Sequence, residues 1–347
     1  MQRVIVVGMG PIGTACARAI RAERGIKLAG LVDSNPKLVG MSLDDLARGP
    51  SDAAAAAGST EEGQLRIVAA LDQCEGDTAV LCTTSDFAAL TPMIRQCVGR
   101  GMSVISTCEQ MAWPWYRHDA LAREIDAEAA AAGVAVLGTG VNPGFVMDAL
   151  AVMFASMVRR VTTVRCVRRV NAALRRGPLQ KKVGATMKPE AFRELAAEGK
   201  IGHQGLQESA AMLAAGLGRE VAPGSVSELI EPVIADTARE SAVGVIQPGM
   251  VAGVHHLARW QGDGLTVELD LTMAVGEPDP VDKVKLEGPV SLLLKIPGGT
   301  PGDSATVAAV LNNLPHIAPG RMRVLPGLRT MIDMPPAGCH NRDFVRV

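Results

Sequence analysis

Three stretches of this 347-residue chain combine residue types whose spacing could do chemistry. The first is Gly8-Met9-Gly10-Pro11-Ile12-Gly13, with Asp33 standing 20 residues beyond the last glycine. Glycines in this pattern permit a tight turn, let the backbone approach a pyrophosphate and let a helix pack closely on a strand, while the helix N-terminus favours the phosphate charge. Gly8, Gly10, Pro11, Ile12 and Gly13 are therefore the expected dinucleotide contacts; the alternative is a tight turn with no ligand. Asp33, with Ser34 beside it, can accept hydrogen bonds from ribose hydroxyls and repels a 2′-phosphate, which favours NAD. Ser34, Asn35 and Lys37 leave NADP possible. Thr83, Thr84 and Ser85 close a later strand and can offer hydroxyls to the same cofactor; Ser85 reads equally well as a helix cap.

The second stretch is Cys108-Glu109-Gln110. A hydride acceptor implies a substrate, and Glu109 follows a strand ending at Ser106, so it projects from the sheet edge where the nicotinamide belongs. It is the acid/base candidate, with a surface or helix-capping acid as the alternative. Oxidoreductases of the glucose-fructose type read Glu-Lys-Pro here, and the lysine handles a hydroxyl proton. Gln110 cannot do that. A carboxylate alone suits an ammonium group, which it can bind and deprotonate before the nitrogen lone pair expels hydride from the adjacent carbon. The inferred substrate is an amine rather than an alcohol.

The third set is dispersed. Arg169 and Asn171 are two apart on a predicted strand and share a face. His203 sits in a Gly-flanked turn before a helix. Asn142-Pro143-Gly144-Phe145 makes a turn whose aromatic ring can wall a pocket. A solvated ion pair for Arg169, a structural histidine for His203 and a core position for Phe145 are the plainer readings. His255-His256 invites comparison with the double histidine of dihydrodipicolinate reductase, but strand alternation places the two rings on opposite faces, one packed and one exposed. Arg175, Arg176, Lys181 and Lys182 flank Gly177-Pro178 and read as a solvated loop, with a clamp for a substrate carboxylate as the other possibility.

These residues need elements to hold them. Residues 1–140 alternate β-branched runs (Arg3 to Val7, Leu28 to Asp33, Thr78 to Thr83, Ser103 to Ser106, Val134 to Leu137) with amphipathic stretches (Ile12 to Arg24, Phe87 to Arg100, Arg117 to Ala132). That is the grammar of an α/β, doubly wound parallel sheet. The segment from Arg48 to Gly63 reads as surface loop or short helix. Residues 141–300 change grammar, with helices near Val146 to Val158, Pro189 to Glu198 and Leu206 to Leu217. Val161 to Val170 reads as a strand, and the long alternating segments beyond the helices, such as Thr266 to Val275, Val281 to Glu287 and Val290 to Ile296, suit an antiparallel sheet with one wet face. In residues 301–347, Asp303 and Ser304 precede a predicted helix, Ala305 to Leu314, that can return to the first domain.

Composition narrows the classes. Lys+Arg 35 against Asp+Glu 36 leaves a net charge of -1, which offers no field for nucleic acid or an anionic bilayer. Hydrophobic residues at 48% exclude a disordered chain, yet no apolar run reaches the roughly 18 residues that cross a membrane. No signal peptide is recognisable at the start, so the cytoplasm is the expected compartment. Seven cysteines without a CxxC pair predict neither a disulfide framework nor a metal site, and read as small core residues.

With these residues in place, the chain resembles the 2,4-diaminopentanoate dehydrogenases and the related native NAD(P)-dependent amine dehydrogenases. The resemblance rests on GMGPIG, the CEQM segment with Trp113, VLGTGVNPGF, the RVN of the strand, IGHQGLQES, VAGVHHLARW, KIPGGTPGDSAT and PGLRTMIDMP. It implies a Rossmann domain, a second α+β domain for substrate and dimerisation, a homodimer, and a C-terminal segment beside the cofactor. It also implies that Glu109 holds the amine or ammonia, with Asn142, Phe145, Arg169, Asn171 and His203 lining the pocket. Such proteins often carry a second acid where this chain has Gln110, a change that can alter recognition of a second amino group. The expected activity is oxidative deamination of an amine to a carbonyl and ammonia, and its reverse. A diamino-acid dehydrogenase and a non-catalytic NAD-binding regulator are the alternatives.

Overall fold

The computed structural model describes residues 1–48 and 65–335, so the stretch expected as loop from Arg48 to Gly63 lies almost wholly outside the described residues. Two compact units emerge: Met1–Val141 with the segment that starts at Gly302, and Asn142–Pro301.

The first unit begins with β1 (Gln2–Val7), α1 (Pro11–Ala22), β2 (Ile26–Val32), a short α2 (Asp45–Arg48), β3 (Ile67–Val68), β4 (Thr78–Leu81), α3 (Phe87–Gly99), β5 (Ser103–Ser106), α4 (Trp115–Ala131) and β6 (Ala135–Gly138). The strands are nearly continuous apolar runs because helices cover both faces of a parallel sheet. Helix α1 buries Gly13, Cys16, Ala17 and Ile20, the i, i+3, i+4, i+7 spacing of one helical face. Pro11 opens it, at a position where a missing N–H costs nothing. Helix α3 is capped by Asp86, whose carboxylate accepts from Ala89 N–H at 2.7 Å. The expected cap, Ser85, lies one residue too early for that reach.

The second unit runs α5 (Ala149–Ala155), β7 (Thr163–Asn171), α6 (Gly177–Lys182), α7 (Pro189–Ala197), α8 (Leu206–Gly216), β8 (Ser227–Ile234), β9 (Val251–Gly262), β10 (Leu265–Ala274), β11 (Val281–Glu287) and β12 (Leu292–Pro297). The chain then returns to the first unit as α9 (Gly302–Asn313) and β13 (Gly327–Arg329). Asp303 falls inside the first turn of α9 rather than before it, where a carboxylate suits the helix dipole.

In the first unit the strand order is β13-β6-β5-β4-β1-β2-β3, parallel at every pairing. This is the doubly wound Rossmann arrangement with an extra edge strand, and its order reverses between β1 and β4, where such sheets take their ligands. One core layer holds Phe87, Ile94 and Ile125 from α3 and α4; the other holds Ile20 from α1 with Val310 and Leu314 at the α9 end.

The second sheet is ordered β12-β11-β7-β10-β9-β8. It is mixed, not purely antiparallel, because β7 lies parallel to β10. Asp263 and Gly264, both at positive φ, make the two-residue turn of the β9–β10 hairpin. The link from β10 to β11 then leaves room for β7 between them. Alternation reports which face of a strand is wet, and nothing about its neighbours. The basic stretch is ordered as α6 instead of a loop. Buried Gln180 holds it, donating to the Ala172 and Arg175 carbonyls and accepting from Ala242 N–H.

Sheet register sets Arg168 opposite Asp282. Their side chains, 5% and 4% exposed, meet at 2.7 Å. The same carboxylate oxygen accepts from Thr300 N–H at 2.7 Å, and Arg168 donates to the Thr300 carbonyl at 2.8 Å. Removing one member strands the other's charge. Asp282→Ala should therefore destabilise the protein by about 3–5 kcal/mol, measured by chemical denaturation, whereas breaking an exposed pair such as Arg123–Asp119 should leave the midpoint nearly unchanged.

Candidate active site

The turn between β1 and α1 is built on close backbone contact. A Cβ at Gly13 would lie 1.8 Å from the Gly8 carbonyl oxygen, so only glycine fits. Gly10 is different, because a Cβ there would meet nothing within 4 Å. It occupies the N-cap of α1 with no side-chain cap, and no acid stands in the first turn. Gly10 is one wall of a cleft of about 400 Å³ whose other walls include Gly8, Asp33, Ser34, Cys82 and Thr83. A bare glycine, uncapped amides and an acid at the end of the next strand fit a dinucleotide. Asp33 also braces the turn, accepting from Met9 N–H at 2.6 Å and Asn35 N–H at 2.8 Å.

Pro11, Ile12 and Gly13 follow in α1, and Thr84 and Ser85 lie just past Thr83, outside the cleft walls. The Thr84 hydroxyl accepts from Asp86 N–H, and the Ser85 carbonyl accepts from Gln110 N–H at 3.3 Å. That last bond ties the β4 end to the segment carrying Glu109. Glu109 opens a 3₁₀ turn, Glu109–Ala112, at the carboxyl end of β5 and is half-buried. Trp113 and Trp115 follow, their rings 4.9 Å apart. Cys97 and Cys108 are core residues whose thiols burial pushes up to about 12.

In the second unit the Asn142–Phe145 turn is held by a residue that sequence reasoning missed. Asp148 is fully buried and accepts from Gly144 N–H, Ala149 N–H and the Ser209 hydroxyl, each at 2.7 Å. Burial pushes its carboxyl up to about 6 against the pull of those donors. A lone acid inside the apolar stretch from Phe145 to Ala155 was the available signal.

His203 is held through its backbone, which donates to Nδ1 of His256 at 3.3 Å. The other nitrogen of His256, Nε2, therefore carries the hydrogen and donates to Glu228 at 2.7 Å. His256 is packed and His255 half-exposed against Asp270, as strand alternation predicts. The His203 ring hydrogen-bonds the Asn142 backbone, yet burial, helped by Lys182, His256 and Arg168, pushes its pKa down to about 3. Its Nε2 and the Asn142 Oδ1 are sealed from solvent without partners. Arg169 reaches Thr272 at 3.4 Å, and Asn171 spends its Oδ1 on Ala173 N–H and Gly276 N–H, which leaves its NH₂ group to donate.

Among the described residues no three His, Cys, Asp or Glu side chains are placed to hold a metal, and no helix is long and apolar enough to cross a membrane. A family model, the 2,4-diaminopentanoate dehydrogenase C-terminal domain, matches residues 145–346. A 2,4-diaminopentanoate dehydrogenase of Acetoanaerobium sticklandii is 32% identical over 354 residues, covering 99% of this chain and 96% of the relative. This chain belongs to the 2,4-diaminopentanoate dehydrogenase family. An amine dehydrogenase from Mycobacterium smegmatis shares the fold, with a TM-score of 0.79 at 23% identity over 97% of this chain and 96% of that one.

Two outcomes follow for members built this way. Gly10→Ala should fold with an unchanged melting temperature, since its methyl meets nothing, yet bind dinucleotide at least about tenfold more weakly by fluorescence titration, because the backbone approach is lost. His203 favours the neutral form when folded, so the stability it contributes is complete above its ordinary value of 6.5 and drains away as pH falls towards about 3. Denaturation midpoints between pH 7 and 4 should fall less steeply in His203→Gln than in the parent.

Proposed function

We propose that this chain is a nicotinamide-dependent amine dehydrogenase, with NAD the preferred dinucleotide. The observation that carries the reading is Glu109 at the carboxyl end of β5, in the same sheet whose β1–α1 turn keeps Gly10 bare. The main chain at Gly8, Gly10, Pro11, Ile12 and Gly13 would hold the pyrophosphate. Asp33 and Ser34 would hold the adenosine ribose, and Thr83, Thr84 and Ser85 the far half of the cofactor. A carboxylate at Asp33 disfavours a 2′-phosphate, which supports NAD over NADP. When bound, nicotinamide supplies the acceptor for a hydride from the amine-bearing carbon.

The protein's own part is proton and charge handling. Glu109 binds the substrate ammonium and takes one proton, leaving a neutral amine whose lone pair drives hydride departure. The resulting iminium adds water and breaks to a carbonyl and ammonia; in reverse, Glu109 holds ammonia against the carbonyl. Asn142, Phe145, Arg169, Asn171 and His203 bind the remainder of the substrate. His203 keeps a neutral ring through the working pH range, so its Nε2 joins Asn142 Oδ1 as an acceptor for N–H groups. A homodimer in the cytoplasm goes with this reading.

A second reading is the special case of a 2,4-diaminopentanoate dehydrogenase. Arg169 suits a carboxylate, and the relative 32% identical to this chain is a 2,4-diaminopentanoate dehydrogenase. The assay is oxidation of NADH, with NADPH in parallel, at high ammonium against small ketones, aldehydes and 2-amino-4-ketopentanoate. Turnover of neutral carbonyls makes a general amine dehydrogenase; preference for the amino-keto acid makes the special case. Dinucleotide binding with no turnover returns the regulator. Glu109→Gln should lower turnover by about 100-fold or more with dinucleotide affinity unchanged. Near-normal turnover in that variant would remove Glu109 from the mechanism.

A further inference from the structure

Gln110 follows Glu109 in the 3₁₀ turn at the carboxyl end of β5. Its Oε1 lies 2.9 Å from the backbone nitrogen of Phe87 and 3.2 Å from Nε2 of His118. A backbone N–H can only donate, so the atom facing it is the carboxamide oxygen and not the NH₂ group. The imidazole nitrogen beside that oxygen must then carry its hydrogen, which fixes His118 as the Nε2–H form.

Both partners sit at singular points of the first unit. Phe87 opens α3, where Asp86 serves Ala89 N–H, so Gln110 supplies a second cap from outside the helix. His118 is the point where α4 leaves helical geometry (φ −133°, ψ 46°), and its ring lies 6.0 Å from that of Phe87. The main chain around Glu109 is also held. Cys108 N–H donates to the Ser106 hydroxyl at 3.1 Å, Gln110 N–H to the Ser85 carbonyl at 3.3 Å, and the Met111 carbonyl sits where a Cβ at Gly138 would be 2.1 Å away. Of these restraints only Gln110 ties the turn by a side chain to two helices at once.

We propose that Gln110 is a positioning residue for Glu109: it pins the Glu109–Ala112 turn between the start of α3 and the bend of α4, and does not read a second amino group on the substrate. The inference rests on the role given to Glu109 above. It removes the change from acid to amide at this position as an argument against a diamino-acid substrate. A carboxylate here would accept from the same two donors and would suit the N-terminus of α3, so acid and amide are interchangeable as pins.

The test uses the full chain with Gln110→Glu and Gln110→Leu, each read for kcat, KM for amine, dinucleotide affinity and melting temperature. A loosened turn misplaces the Glu109 carboxylate, so Gln110→Leu should lower kcat/KM for amine about tenfold or more while dinucleotide affinity stays within about twofold. Gln110→Glu should restore kcat/KM to within about threefold and leave the preference for a diamino acid over a monoamine unchanged to the same degree. A tenfold change of that preference in Gln110→Glu, or a Gln110→Leu enzyme with parental constants, overturns the proposal. Nitrogen-15 NMR of His118 in the parent gives a readout that needs no turnover and no variant that folds: the Nε2–H form is required, and the Nδ1–H form overturns the pin. A parent that binds dinucleotide and turns over no amine sinks the enzyme reading instead, and the His118 result still decides whether the pin exists.

Discussion

The first helix of the chain starts without a cap, and much of the first unit is arranged around that deficit. Its N-cap is a glycine, its opening residue a proline, and its first turn lacks an acid, so among the described residues no side chain caps the positive end of the helix. Most helices of this size recruit a serine, threonine or aspartate, as α3 recruits Asp86. Leaving α1 bare keeps a standing electrostatic demand for an anion at one place. The sheet brings the rest to it: Asp33 follows β2 and the threonines lie just past β4, and these strands flank β1 in the parallel order. The missing side chain at Gly13 lets α1 lie close enough for its amides to matter.

The second unit relies on buried charge instead of bare backbone. Asp148 and the Arg168–Asp282 pair are each withdrawn from water, and each fixes main chain of a loop as well as a second helix or strand. Burying a carboxylate is costly unless donors surround it. Three donors meet Asp148, and a guanidinium with one amide meets Asp282. The turn with Asn142 and Phe145 and the residues around Thr300 are thereby given fixed conformations that loops seldom have. His256 works in the same way, one nitrogen on Glu228 and the other on the backbone of His203.

What was legible in the sequence divides along the same line. The glycine turn, Asp33 and the placement of Glu109 on a strand end all depend on spacing within a short stretch, and spacing is what a sequence displays. The helix cap missed by one residue because Ser85 and Asp86 are both cap formers, and only backbone geometry chooses between them. Pairings across long separations were beyond reach. Arg168 and Asp282 are 114 residues apart, and the parallel contact of β7 with β10 joins a strand that precedes three helices to one inside the β9–β10 hairpin. Arg169 drew attention for its place in a motif, while its neighbour Arg168 carries the buried bond. The resemblance linked Gln110 to recognition of a second amino group, and the sequence carries no sign that its side chain meets Phe87 N–H and His118.

The order of the units along the chain has a consequence for biosynthesis. The second unit is one continuous segment, 142–301, set between β6 and α9, whereas the first unit is assembled from both sides of it. A ribosome therefore finishes every strand of the second sheet before it makes β13, the strand that covers β6 at the edge of the first sheet. At ordinary synthesis rates the intervening segment occupies on the order of ten to thirty seconds. Through that interval β6 presents an open edge, and the face of the sheet beneath α9 lacks Val310 and Leu314. The nascent chain is most exposed to misassociation in the unit it began first.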